Sequence, residues 1–591
     1  MTVAADTKLR TWPRITADGS DLPESWLAEL VELRVRTGLR AVGRATLTFT
    51  DPVYALSEAT DLTVGTAVKL TSLPDGAASP SVTLLEGTVT AIETELVAHG
   101  GALLTVTVDD AAVDLARAEG AETYHEMTYP NVVSQLTSEV RMTAQVDGLP
   151  ATVMPFTMRN DTRLGLIDEI AQRYGCDWIV EGTVLHLWPA ATGNLTGAGQ
   201  ARLTVGSDLF GFAVRQVSDA PTDVTVRGWD VAQQQAIVAT ASSPAARAGR
   251  APATTSGKKF ELTEARLGVR SDADARDLAK GLAARTGRMV ARGRAAFTPA
   301  LRAGGMLLVE NAGPAKGTYY VREVTHVVDQ SGSRTSFVAG DRDPVRLGDA
   351  GTPAPGVSSF RRGGLAVALV DNLKDPEKLG RVSVSIITAS EQAKSAWARV
   401  LQPGAGSERG HLFLPDVGDE VLVGFENDDL ARPVVLGGLY GGRAKPHQAV
   451  VDDSGRLVAH VIRTRSGHVI ELAEGQQESE QHVLLKLANG AQLRVGQDAV
   501  LLEAPSGKPL TLKAGSSSIT FDGNGKITVK GTTIELAATG AVGVDAKDKV
   551  TVKGTLGVAL EGLEASLKGQ AKTSVEASGV VEVKGAMVKI N

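Results

Sequence analysis

The sequence predicts a mainly β protein with a minor helical part. Glycine is abundant, at 64 residues beside 24 prolines, and aromatic residues are scarce at 4%. That balance suits short strands joined by many tight turns. Apolar and polar residues alternate with period two in the N-terminal part, as in half-buried strands. Towards the C-terminus a strand-like unit recurs about every eight residues.

Size and charge narrow the function classes. A chain of 591 residues suggests several domains, roughly four at about 150 residues each. The hydrophobic fraction of 43% is enough for real cores. Charged residues make up 22%, the net charge is -7, and both signs are interspersed. Neither a nucleic-acid nor a membrane-surface footprint follows from that pattern. Cys176 is the single cysteine, so no disulfide can form within a chain. The N-terminus has no signal-peptide h-region, and no apolar run is long enough to span a bilayer. Folding in the cytoplasm is the expectation.

The first 350 residues read as strands interrupted by helices. Along Gly43–Asp51, Ala45, Leu47 and Phe49 share one face, and Arg44, Thr46 and Thr48 the other. Similar segments follow at short intervals, and a small barrel or sandwich is the natural closure. "NDTRLGLIDEIAQRYGCDW" predicts a helix with Asp161 as N-cap and Gly175 at C′. Leu164, Ile167, Ile170, Ala171 and Tyr174 form its apolar stripe. A further helix starts near Ser271, and Ala241–Lys259 reads as an exposed loop. Hub 1–350, linker 351–364, barrel 365–442, neck 443–480 and needle 481–591 are the expected domains. The linker lies in the Gly-, Pro- and Ser-rich stretch Gly348–Gly364.

The repeat is the strongest internal signal. The last apolar residue of each unit falls at Val529, Leu536, Val544, Val552, Leu560, Leu567, Val575, Val583 and Ile590. The steps are 7, 8, 8, 8, 7, 8, 8 and 7. Glycine or alanine often stands two residues later, where a tight corner would follow. Eight residues cannot close one turn of a single-chain parallel β-helix. Either one chain stacks three units per turn, or three chains wind together, each giving one side. Three chains are preferred, because they share one apolar axis and pair every inner strand edge. Nine strands at about 4.8 Å would make a rod on the order of 40 Å. Between apolar position and corner stand Asp545, Lys553, Glu561, Lys568, Glu576 and Lys584, alternating in sign. Stacked on one face they would form a charge ladder worth roughly 0.2–1 kcal/mol per pair.

Residues 360–440 carry Asp375–Val382 (D-P-x-x-x-G-R-V), Trp397–Val400 (W-A-R-V), Leu414–Phe425 (L-P-x-x-G-D-E-V-L-V-x-F) and Pro433–Tyr440 (P-V-V-L-G-x-L-Y). These motifs resemble the OB-fold barrel of contractile-tail spike proteins. The segments "NDTRLGLIDEIAQRYG…VLHLWP" and "VTVRGWD" resemble the late-control-protein D group. Together they liken the chain to VgrG-like hub and spike proteins of contractile injection systems, extracellular systems foremost, with type VI and phage or tailocin spikes next. The resemblance implies two tube-like β-barrel subdomains with inserted helices in the hub, then the OB barrel, then a trimeric intertwined β-helix needle. It implies a homotrimer that adapts threefold spike to sixfold inner tube and is driven through the target membrane mechanically. Implied partners are a hexameric inner tube protein, baseplate or wedge proteins, a PAAR-type tip protein and effector cargo. No nucleic acid is implied, and the particle would assemble in the bacterial cytoplasm.

Enzymatic readings find little support. The nine histidines are scattered, without an H-x-H or HExxH pattern, and no metal or other cofactor is expected. His125 beside Glu126 reads as surface or packing, Asp109–Asp110 as a turn after a strand, and Cys176 as a small buried hydrophobe. Only about 40 residues separate Tyr440 from the first needle-like strand, too few to house a hydrolase domain. No histidine lies beyond His482 to hold a metal at the tip. The final Met587, Val588, Ile590 and Asn591 are therefore the expected docking site for a separate tip protein. The alternative is a trimeric β-solenoid adhesin or tail fibre binding a surface glycan, although the tail after residue 500 offers only Phe521 as an aromatic.

Overall fold

The computed structural model describes residues 13–590 except 74–80, 98–100, 118, 191–199, 217–220, 231–232, 244–260, 266–267, 270, 288, 342–363, 387–393 and 448–449. The chain divides into two compact units, Met1–Pro446 and His447–Asn591. The linker 351–364, except Gly364, and most of the loop Ala241–Lys259 lie outside the described residues.

The hub is mainly β. Among the described residues, thirteen strands join one sheet across residues 14–340. Its two halves are fused where Leu30–Gly38 pairs antiparallel with Gly317–Asp329, Glu323 lying opposite Gly38. Each half keeps its own core. The N-terminal core holds Trp26 edge-on to Phe49 at 5.1 Å, with Ala45, Leu47 and Phe49 fully buried. The alternation of Arg44–Thr50 thus sorts its faces as expected. The second core centres on Leu307, Tyr319 and Phe337.

Helices add a third core rather than decorating the first two. α1 (Glu24–Glu29) sits in the N-terminal half. α2 (Ala112–Ala116), α3 (Tyr129–Ser138), α4 (Arg163–Arg173) and α5 (Asp272–Ala284) pack with strands such as Cys176–Glu181 and Val184–Pro189. α5 is capped by Ser271, whose hydroxyl accepts from Asp274 N at 3.2 Å. α4 is capped by Thr162, not Asp161: the Thr162 hydroxyl accepts from Gly165 N at 2.9 Å, while Asp161 still belongs to the preceding strand. The hydroxyl must stand one residue before the first helical turn to reach that N–H. Gly175 takes the left-handed C′ position, at φ +67°. A Cβ there would lie 2.3 Å from Gly281 O, so α4 and α5 meet backbone to backbone.

The OB region is a five-stranded sheet ordered Ser383–Ser385, Ala366–Asn372, Glu420–Phe425, Pro433–Gly438, Arg399–Val400. Val421 and Val423 are fully buried with Ala368, Val370 and Val435, and Gly418 turns at φ +90° before them.

The second unit changes pattern within the expected needle, and no break falls at 480. Ala459–Arg463, Val469–Ala473, His482–Lys486, Gln492–Gly496 and Val500–Glu503 form an antiparallel meander. Leu510–Ala514, Ser517–Phe521 and Ile527–Lys530 form a second one. The change comes after Lys530, beyond which the described chain pairs with no strand of its own. Turn chemistry explains it. Gly467, Gly490, Gly515 and Gly525, each between two paired strands, have positive φ, which hairpin reversals use. No described residue after Gly525 has one. The later corners bend the chain without sending it back along itself.

Candidate assembly surfaces

The spacing D-P-x-x-x-G-R-V has a local cause. Lys378 and Gly380 both take positive φ, closing a tight loop. The Asp375 carboxylate accepts from the N–H groups of Glu377 (3.1 Å), Leu379 (2.8 Å) and Arg381 (3.3 Å). It also accepts from the Arg381 guanidinium at 2.6 Å. Burial opposes its ionisation, but these donors win and hold its pKa down at about 2. The motif is a self-closing turn on the OB barrel rather than a catalytic group.

The last meander of the second unit is one-sided. In the three-stranded sheet, Leu512, Ile519 and Val529 lie side by side, as do Leu510, Phe521 and Ile527. These rows share one face, because rows alternate between faces. The intervening rows, Thr511–Thr520–Thr528 and Lys513–Ser518–Lys530, cover the other. The five-stranded sheet also carries an apolar row, Ile462, Ile470, Leu485, Leu493 and Leu502, while the row on its other face is mixed: Val461, Glu471, Leu484, Arg494 and Leu501. Its opposite face carries Glu471 and His482, 3.7 Å apart. In the isolated chain the apolar faces stay open: Leu512 and Val529 are each 50% exposed. A continuous apolar face of that kind marks a contact surface.

Beyond Lys530 the chain is extended, with bends beginning at 532, 539, 547, 555, 562, 570, 578 and 586. Corners therefore recur at 7- or 8-residue steps, as the repeat requires. Gly554 shows why a corner needs glycine, since a Cβ would stand 2.1 Å from Gly557 O. The apolar residues Leu536 to Ile590 all point into solvent. Asp545, Lys553, Glu561, Lys568, Glu576 and Lys584 are likewise exposed, and no ion pair joins two of them among the described residues. Lys584 instead meets the neighbouring Glu582. Met587, Val588 and Ile590 are exposed, and Asn591 lies outside the described residues.

The titratable groups singled out in the hub are structural. No group of three or more potential metal ligands occurs among the described residues. His125 is exposed, on the strand Glu119–Thr128. Cys176 is buried, and burial raises its thiol to about 12. The turn at Asp109–Asp110 is more than a turn. Asp110 is only 4% exposed, accepts from Gly43 N at 2.7 Å and caps α2 through Ala112 N at 3.0 Å. Burial raises its pKa to about 7. Sequence gave no sign of this, because the strand Arg44–Thr50 that covers it comes from far along the chain. A carboxylate raised above its ordinary 3.8 favours folding below that value and loses the advantage as pH rises toward 7. The hub should therefore be less stable at about pH 8 than at about pH 5, by at most ~3 kcal/mol through this group, because the loss runs only from pH 5 to about 7 in that window. Asp110→Asn should flatten the slope in calorimetric melts across that range.

Residues 366–440 match the family model described as the type VI secretion system/phage-baseplate injector OB domain. A second model, the Alg8 N-terminal domain, matches residues 8–330, more than half of the chain. The chain belongs to the Alg8 N-terminal domain family. It is also similar to the type VI secretion system spike protein VgrG3 of Vibrio cholerae, at 30% identity over 113 residues. That match covers 18% of this chain and 11% of the relative. VgrG2a of Pseudomonas aeruginosa is 32% identical over 80 residues, 13% of this chain and 10% of the relative. Among solved structures, the E. coli c3393 protein is described as a type VI secretion component similar to the T4 bacteriophage tail proteins gp27 and gp5. It aligns with a TM-score of 0.46 at 15% identity, over 70% of this chain and 96% of that one. The Francisella PdpA-VgrG complex aligns at 0.48 and 8%, over 88% of this chain and 87% of that one. The VgrG-like resemblance read from the barrel motifs thus holds in the family model and in the curated spike proteins.

Proposed function

We propose that the chain is the baseplate hub and membrane-puncturing spike of a phage-tail-like contractile injection system, acting mechanically rather than as an enzyme. One observation carries the reading. An injector-type OB barrel is followed by sheets with one apolar face and by an octad-bent tail whose apolar residues find no cover in a single chain. Three copies supply that cover: apolar faces meet on a common axis, and each extended octad gains strands from its two neighbours. Stiffness then comes from continuous backbone pairing and a dry axis. The fused hub sheets of three chains would offer six similar lobes, on which a hexameric inner tube can start. Baseplate proteins would surround this ring, effector cargo would travel with it, and assembly would take place in the bacterial cytoplasm.

Light scattering of the purified chain should give three times the single-chain mass, and a single-chain mass overturns the trimer. Within the trimer, the ladder from Asp545 to Lys584 would set opposite charges beside each other and fix register. Glu561→Lys with Glu576→Lys should lower the trimer's melting temperature by several degrees or give slipped species. An unchanged melt removes the register role. Met587, Val588, Ile590 and Asn591 would form the blunt end that a PAAR-type tip protein covers. Deleting residues 584–591 should abolish capture of that protein in a pull-down while leaving the trimer intact.

A further inference from the structure

We propose that Arg432 clamps the OB barrel to the hub by gripping the Val269 carbonyl, fixing one orientation between the two domains. Arg432 precedes the OB strand Pro433–Gly438 and lies in the loop Glu426–Arg432. That loop is closed by its own backbone: Glu426 N donates to Arg432 O at 3.0 Å, and Arg432 N to Asp429 O at 2.8 Å. Inside the OB domain, Arg432 Nη2 pairs with Glu426 Oε2 at 2.8 Å, and the other Glu426 oxygen meets Arg399. The guanidinium is thus oriented before it reaches the hub. There its Nη1 donates to Val269 O at 3.3 Å.

The hub presents that carbonyl rigidly. Val269 is buried in the helical core, and Gly228 nests against it so closely that a Cβ would stand 2.5 Å away. The preceding carbonyl, Gly268 O, accepts from Arg173 Nη2 at 2.8 Å, reaching from the end of α4. Two consecutive carbonyls are therefore pinned by two arginines, one from each domain. Gly268 itself leaves the space that Asp429 fills: a Cβ would lie 1.6 Å from Asp429 Oδ2. Arg173 Nε and Asp429 Oδ2 are both buried at this seam and have no hydrogen-bond partner among the described residues. Burial disfavours the Arg173 charge, but Asp429 is among the groups that offset it and keep the guanidinium's pKa above its ordinary value. Groups so thoroughly desolvated across a domain boundary belong to a fixed joint, since parting the domains would break the hydrogen bond. Its use as a path for axial force rests on the spike reading; the joint itself does not.

The test uses the full-length protein with a protease site placed within the sequence 348–364. After cleavage, native mass spectrometry reads whether the hub fragment stays with the remainder. In the wild type the fragments should stay together. Arg432→Met should weaken their association about tenfold or more, the loss expected for one buried charged hydrogen bond. Gly268→Leu should do the same from the hub side, with every OB residue unchanged, so that misfolding of the barrel cannot explain the loss. Wild-type fragments that part on cleavage, or variants that associate as the wild type does, overturn the joint. The mass of the uncut particle reports separately on the trimer.

Discussion

Gly175→Val is expected to lower the hub's melting temperature by on the order of 10 °C. Two costs add. Gly175 holds φ +67°, which costs an L residue about 1–2 kcal/mol. Its Cβ would then meet Gly281 O at 2.3 Å and Gly281 Cα at 2.7 Å. Those atoms are backbone of α5, so no rotamer change can relieve the overlap, and overpacking adds about 1–3 kcal/mol. The contact is reciprocal, since a Cβ on Gly281 would lie 2.5 Å from the Tyr174 carbonyl carbon. Calorimetry of the full chain reads the outcome. A melt within about 2 °C of the wild type would show that α4 and α5 do not meet at these glycines.

Ile519→Asp is expected to abolish the proposed trimer, while Thr520→Asp leaves it intact. The two positions are adjacent but stand in rows on opposite faces of one sheet. Ile519 lies between Leu512 and Val529, and Thr520 between Thr511 and Thr528. In a threefold assembly each substitution is made three times. Three aspartates on the axis would face one another without water or a partner, at a cost of several kcal/mol each. Three on the outer face would stay hydrated, for a change within about 0.5 kcal/mol. Light scattering of both variants separates the outcomes. Equal masses and equal melts for the two would show that the apolar face is not the buried one.

Much of the fold was legible because it is local. Alternation in Arg44–Thr50 tells which side chains share a face, whatever the strand pairs with. The repeat placed its corners within a residue or two, because a bend is fixed by the few residues that make it. Ser271 and Gly175 mark helix ends for the same reason, and the N-cap of α4 was misplaced by one residue, since Asp161 and Thr162 both carry a suitable oxygen. The D-P-x-x-x-G-R-V spacing was visible as a motif, but its cause, one carboxylate collecting three N–H groups and an arginine, was not.

Long-range partners were not legible. Asp110 reads as a turn residue until Gly43, 67 positions away, is seen to donate to it across a closed core. The expected needle reads as one repeat from 481, yet the chain pairs antiparallel with itself as far as Lys530. The sequence by itself determined which residues alternate, where the chain bends and which barrel motifs it carries, because those depend on neighbours along the chain. Only the tertiary structure decided that the two hub halves share one sheet and that Arg432 meets Val269. Those contacts depend on which surfaces are brought together, and local periodicity is the same for every partner a strand could have.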